Sequence, residues 1–430
     1  MRASFARAVR AEPPAHRATT AHLQAAYPFV NEGGLGGDGP FIGRDLLGGG
    51  SFCFDPWALY RRGVLTNPNL IVAGQVGRGK SSFVKTFVWR QMAFGRQAWI
   101  VDPKGEYGPL ARAVGVDPVM LRPGGSVRLN PLDVEGGSAT SWEGLLSAAR
   151  RQAGLVSSLA ESSLGRNLSP AERTATELAV RSACTTSGSP TLADVVRLML
   201  EPLQESAAMI RTDRSSLAHD GRCVALELRR LVEGDLAGMF DGPTSAGAEL
   251  SAPLVVLDLS SVYTSPALTL LMTCATGWMQ SVLLRHDRIK RLVVVDEAWA
   301  VLHDLATARW LQSAFKLSRS FGVANVAVVH RLSDLKAAGS GGSVQQRLAE
   351  GLLSDSETRV VFGQPPSEAT LTADLLSLTR TERDALVHLP RGIALWKVGD
   401  RSFLVEDILG ASETTLVDTD GAMREPAFDP

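Results

Sequence analysis

Cysteine and lysine are scarce in this 430-residue chain, and each shortage carries information. The four cysteines lie far apart and none forms a C-x-x-C pair, so neither a disulfide framework nor a zinc ribbon is expected, and reduced cytoplasmic thiols are the simpler interpretation. Only seven lysines accompany 37 arginines, so a lysine within a motif is informative. The cysteines are Cys53, Cys184, Cys223 and Cys274.

The net charge of the chain is also small, and long apolar runs are scarce. A formal charge of -1 provides no bulk attraction to nucleic acid or to an anionic membrane. Residues 1–24 lack the apolar run of a secretion signal and resemble a disordered arm. Residues 259–284 are uncharged but rich in Ser and Thr, which favours a buried helix of an α/β domain over a membrane span.

Short apolar runs predict a mostly parallel sheet, since strands buried on both faces need helices on each side. Residues 392–398 and 401–405, joined by Gly399-Asp400, predict a hairpin at the sheet edge. The strand-like runs are 69–73, 98–101, 254–258, 292–295, 325–329, 359–362 and 393–397.

Changes in pattern along the chain predict its domain organisation. The nine glycines of residues 31–50 indicate turns and a linker, and helical spacing between about 140 and 250 indicates an inserted helical subdomain. The predicted parts are a flexible arm (1–49), a first motor segment (50–139), the helical insertion (140–250), a second motor segment (251–410) and an acidic mobile tail (411–430).

A phosphate-binding loop is the strongest signal in the sequence. Residues 74–81 fit G-x-x-x-x-G-K-[ST], with an apolar strand before and a helical stretch after. Glycines let the backbone N–H groups surround phosphate oxygens, Lys80 would reach the β- and γ-phosphates, and Ser81 would ligate Mg²⁺. The predicted nucleotide-binding residues are Gly74, Gln75, Val76, Gly77, Arg78, Gly79, Lys80, Ser81 and Ser82.

Two acidic sites follow predicted strands. Asp296 and Glu297 end the run LVVV, where α/β sheets bind ligands, so Asp296 is predicted to hold Mg²⁺ and Glu297 to act as general base on a water. This pair favours an ATPase. In VDPKGEY, Asp102 or Glu106 is a candidate for the surroundings of the metal or water, and a simple turn is an equal alternative.

An ordered series of motifs resembles the large ATPase of type IV secretion and conjugation systems, in the HerA–FtsK group of RecA-like motors. The resemblance spans roughly residues 50–408 and implies a RecA-like P-loop core. The motifs are NPNLIVAGQVGRGKS, VDPKGEY, RLNPLD, MFDGPTS, VVLDLS, VVVDEAW and FKLSRSFGVANVAVVHRLSD.

The resemblance also implies an activity and partners. It implies a cytoplasmic ATPase using ATP and Mg²⁺, a homo-oligomer of hexameric type, docked at the inner face of the cell membrane on channel components. DNA is a further candidate partner. Family members usually carry a separate domain before the motor, and about seventy residues stand there in this chain, so a motor-only relative is expected.

Two more residues are transferred from the family. Arg319, in Arg-Ser-Phe-Gly, matches an arginine that reaches the neighbouring subunit's nucleotide, although a surface arginine at a helix end is an alternative. His330 occupies the position of a polar sensor that is commonly glutamine. It can hydrogen-bond a γ-phosphate or water, or be satisfied by local backbone.

Two rival functions remain open at this level. A double-stranded DNA translocase would share the motor, but no clear basic stripe is present in the sequence. A nucleotide-gated scaffold would bind without turnover, and the complete set of Lys80, Ser81, Asp296 and Glu297 argues against it.

Overall fold

The computed structural model describes residues 34–133, 142–187, 189–245, 252–265, 267–283, 289–298, 305–330, 347–348, 351–353 and 355–417. Structural statements below refer to these residues. The predicted arm before residue 34 and the tail after residue 417 lie outside them.

The described strands form one 11-stranded sheet. Its spatial order is β2-β1-β11-β10-β9-β3-β8-β7-β4-β6-β5. The strands are β1 (Phe41–Asp45), β2 (Ser51–Cys53), β3 (Leu70–Ala73), β4 (Gln97–Asp102), β5 (Val119–Met120), β6 (Leu254–Asp258), β7 (Arg291–Val295), β8 (Val323–Val329), β9 (Thr358–Phe362), β10 (Ile393–Val398) and β11 (Arg401–Asp407).

The strands from β9 to β5 in that order are parallel, which confirms the mostly parallel α/β sheet. Every residue of β3 is buried. Leu70 and Val72 join the apolar core on one face of the sheet, while Ile71 and Ala73 join the core on the other face. The apolar runs are uninterrupted because both faces are covered.

Helices cover the two faces unequally. α1, α2, α3 and α13 contribute to one core, and α4, α5, α6 and α8–α12 contribute to the other. The helices are α1 (Pro56–Arg61), α2 (Lys80–Ala93), α3 (Gly108–Val114), α4 (Trp142–Leu164), α5 (Pro170–Thr186), α6 (Leu192–Leu200), α7 (Gln204–Met209), α8 (Arg214–Val232), α9 (Leu268–Leu283), α10 (Leu305–Phe321), α11 (Pro366–Leu376), α12 (Arg380–His388) and α13 (Thr414–Val417).

The segment between β5 and β6 contains α4–α8, as its helical spacing predicts. Ser169 and Thr191 begin α5 and α6 with capping boxes completed by Glu172 and Asp194, which satisfy the first N–H groups of each helix. Because α4 packs on α9 and α10, these helices share a core with the sheet. The division of the chain into domains stays a prediction.

The uncharged segment forms the buried helix α9, as predicted. Trp278 in this helix stacks on Trp99 of β4, with ring centroids 5.7 Å apart. No described helix is both long and apolar enough to cross a bilayer.

The prediction of a linker over residues 31–50 is wrong for Phe41–Asp45, which form β1. This strand pairs antiparallel with β11, and Gly43 faces Asp407. A Cβ atom on Gly43 would lie 1.8 Å from the Glu406 carbonyl oxygen, so glycine here permits close strand approach instead of flexibility.

The hairpin of β10 and β11 is confirmed, but its predicted place at the sheet edge is wrong. β1 and β2 add outside β11 and make β2 the edge strand. Residues 411–417 also depart from the predicted mobile tail. Glu413 accepts two hydrogen bonds from Arg90 of α2, at 2.7 and 2.6 Å, and Leu416 is buried. A buried salt bridge and an apolar anchor hold this part of the acidic segment on the core.

Candidate functional site

The loop between β3 and α2 has the backbone of a phosphate cradle. Gly74, Gly77 and Gly79 have φ angles of 153°, 79° and 111°, a region that residues with a Cβ atom rarely adopt. Lys80 begins α2 directly after Gly79, so the first N–H groups of the helix point toward the loop. Backbone donors and the helix dipole together favour an anion at this position.

Lys80 folds back over this loop. Its Nζ donates to the carbonyl oxygens of Gly74 and Gln75 at 2.5 and 3.0 Å, and the side chain is buried. Burial lowers the pKa of Lys80 to about 8, although the charges of Asp296 and Glu297 oppose that shift. The ammonium and both carboxylates therefore lie within electrostatic reach of one another.

Sheet order explains this convergence. β8 lies between β3 and β7, with Ala73 level with Val329 and Ala327 level with Val295. Because these strands are parallel, their carboxyl ends meet at one edge. The phosphate loop, His330 and the Asp296-Glu297 pair follow the ends of β3, β8 and β7 respectively.

Asp296 is buried between β7 and the turn after β4. Its Oδ2 accepts a hydrogen bond from the Tyr107 hydroxyl at 3.2 Å, and its Oδ1 accepts one from the Glu297 N–H at 2.9 Å. Burial, then the neighbouring Glu297 charge, raises the pKa of Asp296. The carboxylate retains lone pairs, and Ser81 follows Lys80 in the first turn of α2 at the same edge of the sheet. Carboxylate and hydroxyl oxygens are donors that suit Mg²⁺.

Glu297 adopts a left-handed backbone conformation, with φ of 51°. This is uncommon for a residue with a side chain and is held by the surrounding structure. The next residue, Ala298, donates its N–H to the Val328 carbonyl at 2.9 Å, which turns the chain across β8. The Glu297 carboxylate is 1% exposed and pairs with the Lys104 ammonium and with His330.

Asp102 stabilises a turn through its hydrogen bonds. A simple turn is the second of the two interpretations of VDPKGEY. Its Oδ1 accepts from the N–H groups of Lys104 and Gly105 at 3.2 and 2.9 Å, and its Oδ2 accepts from the Tyr107 N–H at 2.9 Å. Burial raises the pKa of Asp102 to about 6. The turn carries Lys104 to Glu297 and Tyr107 to Asp296. Glu106 is half-buried, and its charge acts on both Lys80 and Asp296.

Lys104 and Tyr107 are site residues that the sequence reasoning missed. The scarcity of lysine was a usable signal for Lys104, since it lies inside a motif that ends a predicted strand. No sequence signal marks Tyr107 as the partner of Asp296, because that contact joins residues 189 positions apart.

His330 contacts Glu297 and not its own local backbone. Its Nε2 lies 2.5 Å from Glu297 Oε1, while its Nδ1 is buried and has no hydrogen-bond partner in the described part of the chain. The residue therefore lies at the predicted sensor position with its ring directed to the predicted base. Its role as a sensor stays a prediction.

Arg319 lies at the opposite edge of the sheet. It is exposed in the last turn of α10, which ends just before β8 begins at Val323. The amino end of β8 is remote from the phosphate loop of the same chain, which flanks the carboxyl ends of the strands. Arg319 therefore lies away from the phosphate loop of its own chain, and its role between subunits stays a prediction.

The rest of the loop is supported by neighbouring backbone. Gln75 donates its N–H to the Gly363 carbonyl at 3.1 Å, and Gly392 donates its N–H to the Arg78 carbonyl at 3.0 Å. Val76 is 70% exposed at the tip of the loop. Ser82 lies in the first turn of α2 and is half-buried. The loop is thus braced by backbone bonds to the residue after β9 and to the residue before β10.

Comparison with known proteins gives a match in structure. No protein-family model and no curated protein sequence matches the chain. The structure of VirB4 of Thermoanaerobacter pseudethanolicus matches with a TM-score of 0.71 and 22% identity, over 89% of this chain and 100% of that one. The chain has the same fold.

Two structures of TrwB support this assignment of fold. The unbound bacterial conjugative coupling protein TrwBdeltaN70 matches with a TM-score of 0.55 and 17% identity, over 80% of this chain and 85% of that one. TrwB in complex with ADP and Mg²⁺ matches with a TM-score of 0.53 and 16% identity, over 81% and 87%. The RecA-like P-loop fold that the motifs imply is therefore confirmed.

Proposed function

We propose that this protein is an ATP-hydrolysing oligomeric motor that drives substrate transfer or channel and pilus assembly in a conjugation or type IV secretion-like system. The observation that carries the proposal is the meeting of Lys80, Asp296 and Glu297 at one edge of the sheet, beside the phosphate cradle. Fold similarity to VirB4 and TrwB supports the choice of system.

Each residue has a distinct task in this proposal. The N–H groups of residues 74–81 bind the phosphates, and Lys80 exchanges its bonds to the loop carbonyls for the β- and γ-phosphates. Ser81 and Asp296 would hold Mg²⁺, which neutralises charge on the phosphates when bound. Glu297 orients the attacking water and accepts its proton.

The proposal extends to assembly and location. Arg319 acts on the nucleotide of a neighbouring subunit, so the active unit is a homo-oligomer, and we propose a hexamer. The proposed partners are channel components at the inner face of the cell membrane, with the motor on the cytoplasmic side. DNA is a further candidate partner, and turnover measured with and without DNA tests it.

Nucleotide binding and turnover of the full chain test this function. Lys80→Ala should abolish ATP binding because it removes the buried cation of the cradle, whereas Lys316→Ala on the exposed face of α10 should not affect it. Glu297→Gln should bind ATP and lose turnover by about 100-fold or more, the size expected for a general base. Both are measured by fluorescent-nucleotide binding and phosphate release with Mg²⁺.

Three outcomes decide the proposal. Turnover that persists in Lys80→Ala, or survives removal of Mg²⁺ by chelation, would contradict the mechanism. ATP binding by the wild-type protein without turnover, with or without added DNA, would indicate a nucleotide-gated scaffold. Turnover stimulated by double-stranded DNA with a steep salt dependence would identify a DNA translocase.

A further inference from the structure

Lys104 forms a charged cluster with the proposed base. Its ammonium forms a salt bridge with Glu297 Oε1, and its Nζ lies 3.2 Å from His330 Nε2. The Glu297 side chain is 1% exposed and that of Lys104 is 25% exposed. The cluster joins the ends of β4, β7 and β8, three adjacent strands of the sheet.

Hydrogen-bond chemistry assigns the donors in this cluster. An ammonium group has donors only, so it cannot accept a proton from the imidazole. His330 Nε2 lies 2.5 Å from Glu297 Oε1, and with Glu297 ionised in its salt bridge to Lys104 we assign the tautomer in which Nε2 carries a proton and donates it. Lys104 and His330 therefore both donate to the same oxygen of Glu297, and their mutual approach is a consequence of that shared acceptor.

The turn after β4 places Lys104 at this point. Asp102 Oδ1 accepts the N–H groups of Lys104 and Gly105, and Gly105 has a φ angle of 73° that permits the tight turn. The Lys104 ammonium also lies 5.9 Å from the centroid of the Tyr263 ring. The backbone of the turn and the Tyr263 ring thus orient the Lys104 side chain toward the Glu297 carboxylate.

We infer that Lys104 is a positioning residue that holds the Glu297 carboxylate in place at the carboxyl ends of the strands, beside the phosphate cradle. The inference rests on the proposed function. Lys104 and His330 both contact Oε1 and so restrain the Glu297 side chain. A lysine placed instead to bind phosphate would need its ammonium directed to the cradle, where Lys80 already lies.

Turnover kinetics with Lys104→Met and Lys104→Arg test the inference. Lys104→Met should lower kcat by about 10- to 100-fold, since it removes one of two groups that orient the base, and should change the Kd for ATP by less than about threefold. Lys104→Arg keeps a charged donor and should restore much of kcat. Lys104→Gln is a second neutral variant, with the same expected loss as Lys104→Met.

Lys397→Met is the matched control. Lys397 pairs with Glu382 at 3.6 Å, both side chains being 14% exposed, near the hairpin turn of β10 and β11. Its removal should leave kcat and Kd unchanged. A kcat of Lys104→Met equal to that of Lys397→Met would overturn the inference, and so would a large rise in the Kd for ATP with kcat unchanged, which would indicate direct phosphate contact.

Unfolding of the nucleotide-free protein separates this inference from the proposed function. Lys104→Met should lower Tm more in the wild-type background than in the Glu297→Gln background, because the pair is already weakened there. Equal shifts in both backgrounds would overturn the pairing. If the Tm shifts differ between the two backgrounds but the wild-type protein does not hydrolyse ATP, the proposed function is overturned. The Lys104–Glu297 pair is then still supported.

Discussion

Individual side chains at the carboxyl ends of the strands hold one another in place. Lys80 donates to two loop carbonyls, Asp296 accepts from Tyr107, and Glu297 is paired. Each of these three buried charges thus has a partner, as burial without one costs several kcal/mol. In the proposed function, phosphate oxygens replace the loop carbonyls as the partners of Lys80.

Asp407, at the end of β11, provides a test of pH dependence. Burial raises the pKa of Asp407 to about 6 from an ordinary 3.8, despite Arg90 at 3.6 Å. A raised pKa means that the folded state holds the proton more tightly than the unfolded state. Protonation of Asp407 therefore stabilises the fold, and this contribution is complete below pH 3.8 and lost as pH rises through 6.

The free energy of unfolding of the wild-type protein, relative to Asp407→Asn, should therefore fall by up to about 3 kcal/mol between pH 4 and 7. Urea denaturation of both proteins across this range measures it. The comparison cancels other groups that titrate similarly, such as Asp102. Parallel stability curves for the two proteins would show that Asp407 has no such shift.

At the scale of elements, the antiparallel end of the sheet supports the phosphate loop. β9 pairs with β3, and the backbones at Gly363 and Gly392 hydrogen-bond to the loop. A Cβ atom on Gly74 would lie 2.6 Å from the Phe362 Cβ atom, so the loop and the end of β9 are in direct contact. Strands β10, β11 and β1 extend this support outward.

Gly43→Ala tests whether β1 belongs to the sheet. The new Cβ atom would clash with the Glu406 carbonyl, and we expect the free energy of unfolding to fall by about 1–3 kcal/mol. Gly50→Ala, whose Cβ atom meets open space, should change it by less than about 0.5 kcal/mol. Denaturant unfolding measures both. Equal stability of the two variants would mean that β1 does not pair with β11 in solution.

At the scale of the whole molecule, the two ends of the strands carry different parts of the proposed machine. The phosphate cradle and the carboxylates lie at the carboxyl edge, and Arg319 lies exposed at the amino edge. This separation supports the proposal that Arg319 acts on the nucleotide of a neighbouring subunit. In the proposed oligomer, a second subunit would complete each site with its arginine.

Mixing two inactive variants tests this arrangement. In oligomers that combine Arg319→Ala with Glu297→Gln subunits, some interfaces have both an intact Glu297 and a neighbour's intact Arg319. Random mixing at equal ratio should recover roughly a quarter of wild-type turnover, because only one ordered pairing in four is complete. Phosphate release is measured after tagged co-purification shows that the subunits mix.

The control mixes Arg319→Ala with a variant that carries both substitutions, which offers no intact arginine. Recovery in this control, or its absence in mixed oligomers of the single variants, would contradict an action of Arg319 between subunits.

Sequence alone determined the local features: the phosphate loop, the buried strands and the acidic pair after β7. Each is encoded in residues that are close in the sequence. The apolar run of residues 70–73, for example, is followed at once by Gly74 and six positions later by Lys80. Only the tertiary structure decided that Lys104 and His330 pair with Glu297, and that β1 joins the sheet. Those contacts depend on which strands lie side by side, and strand order is set by packing between distant segments.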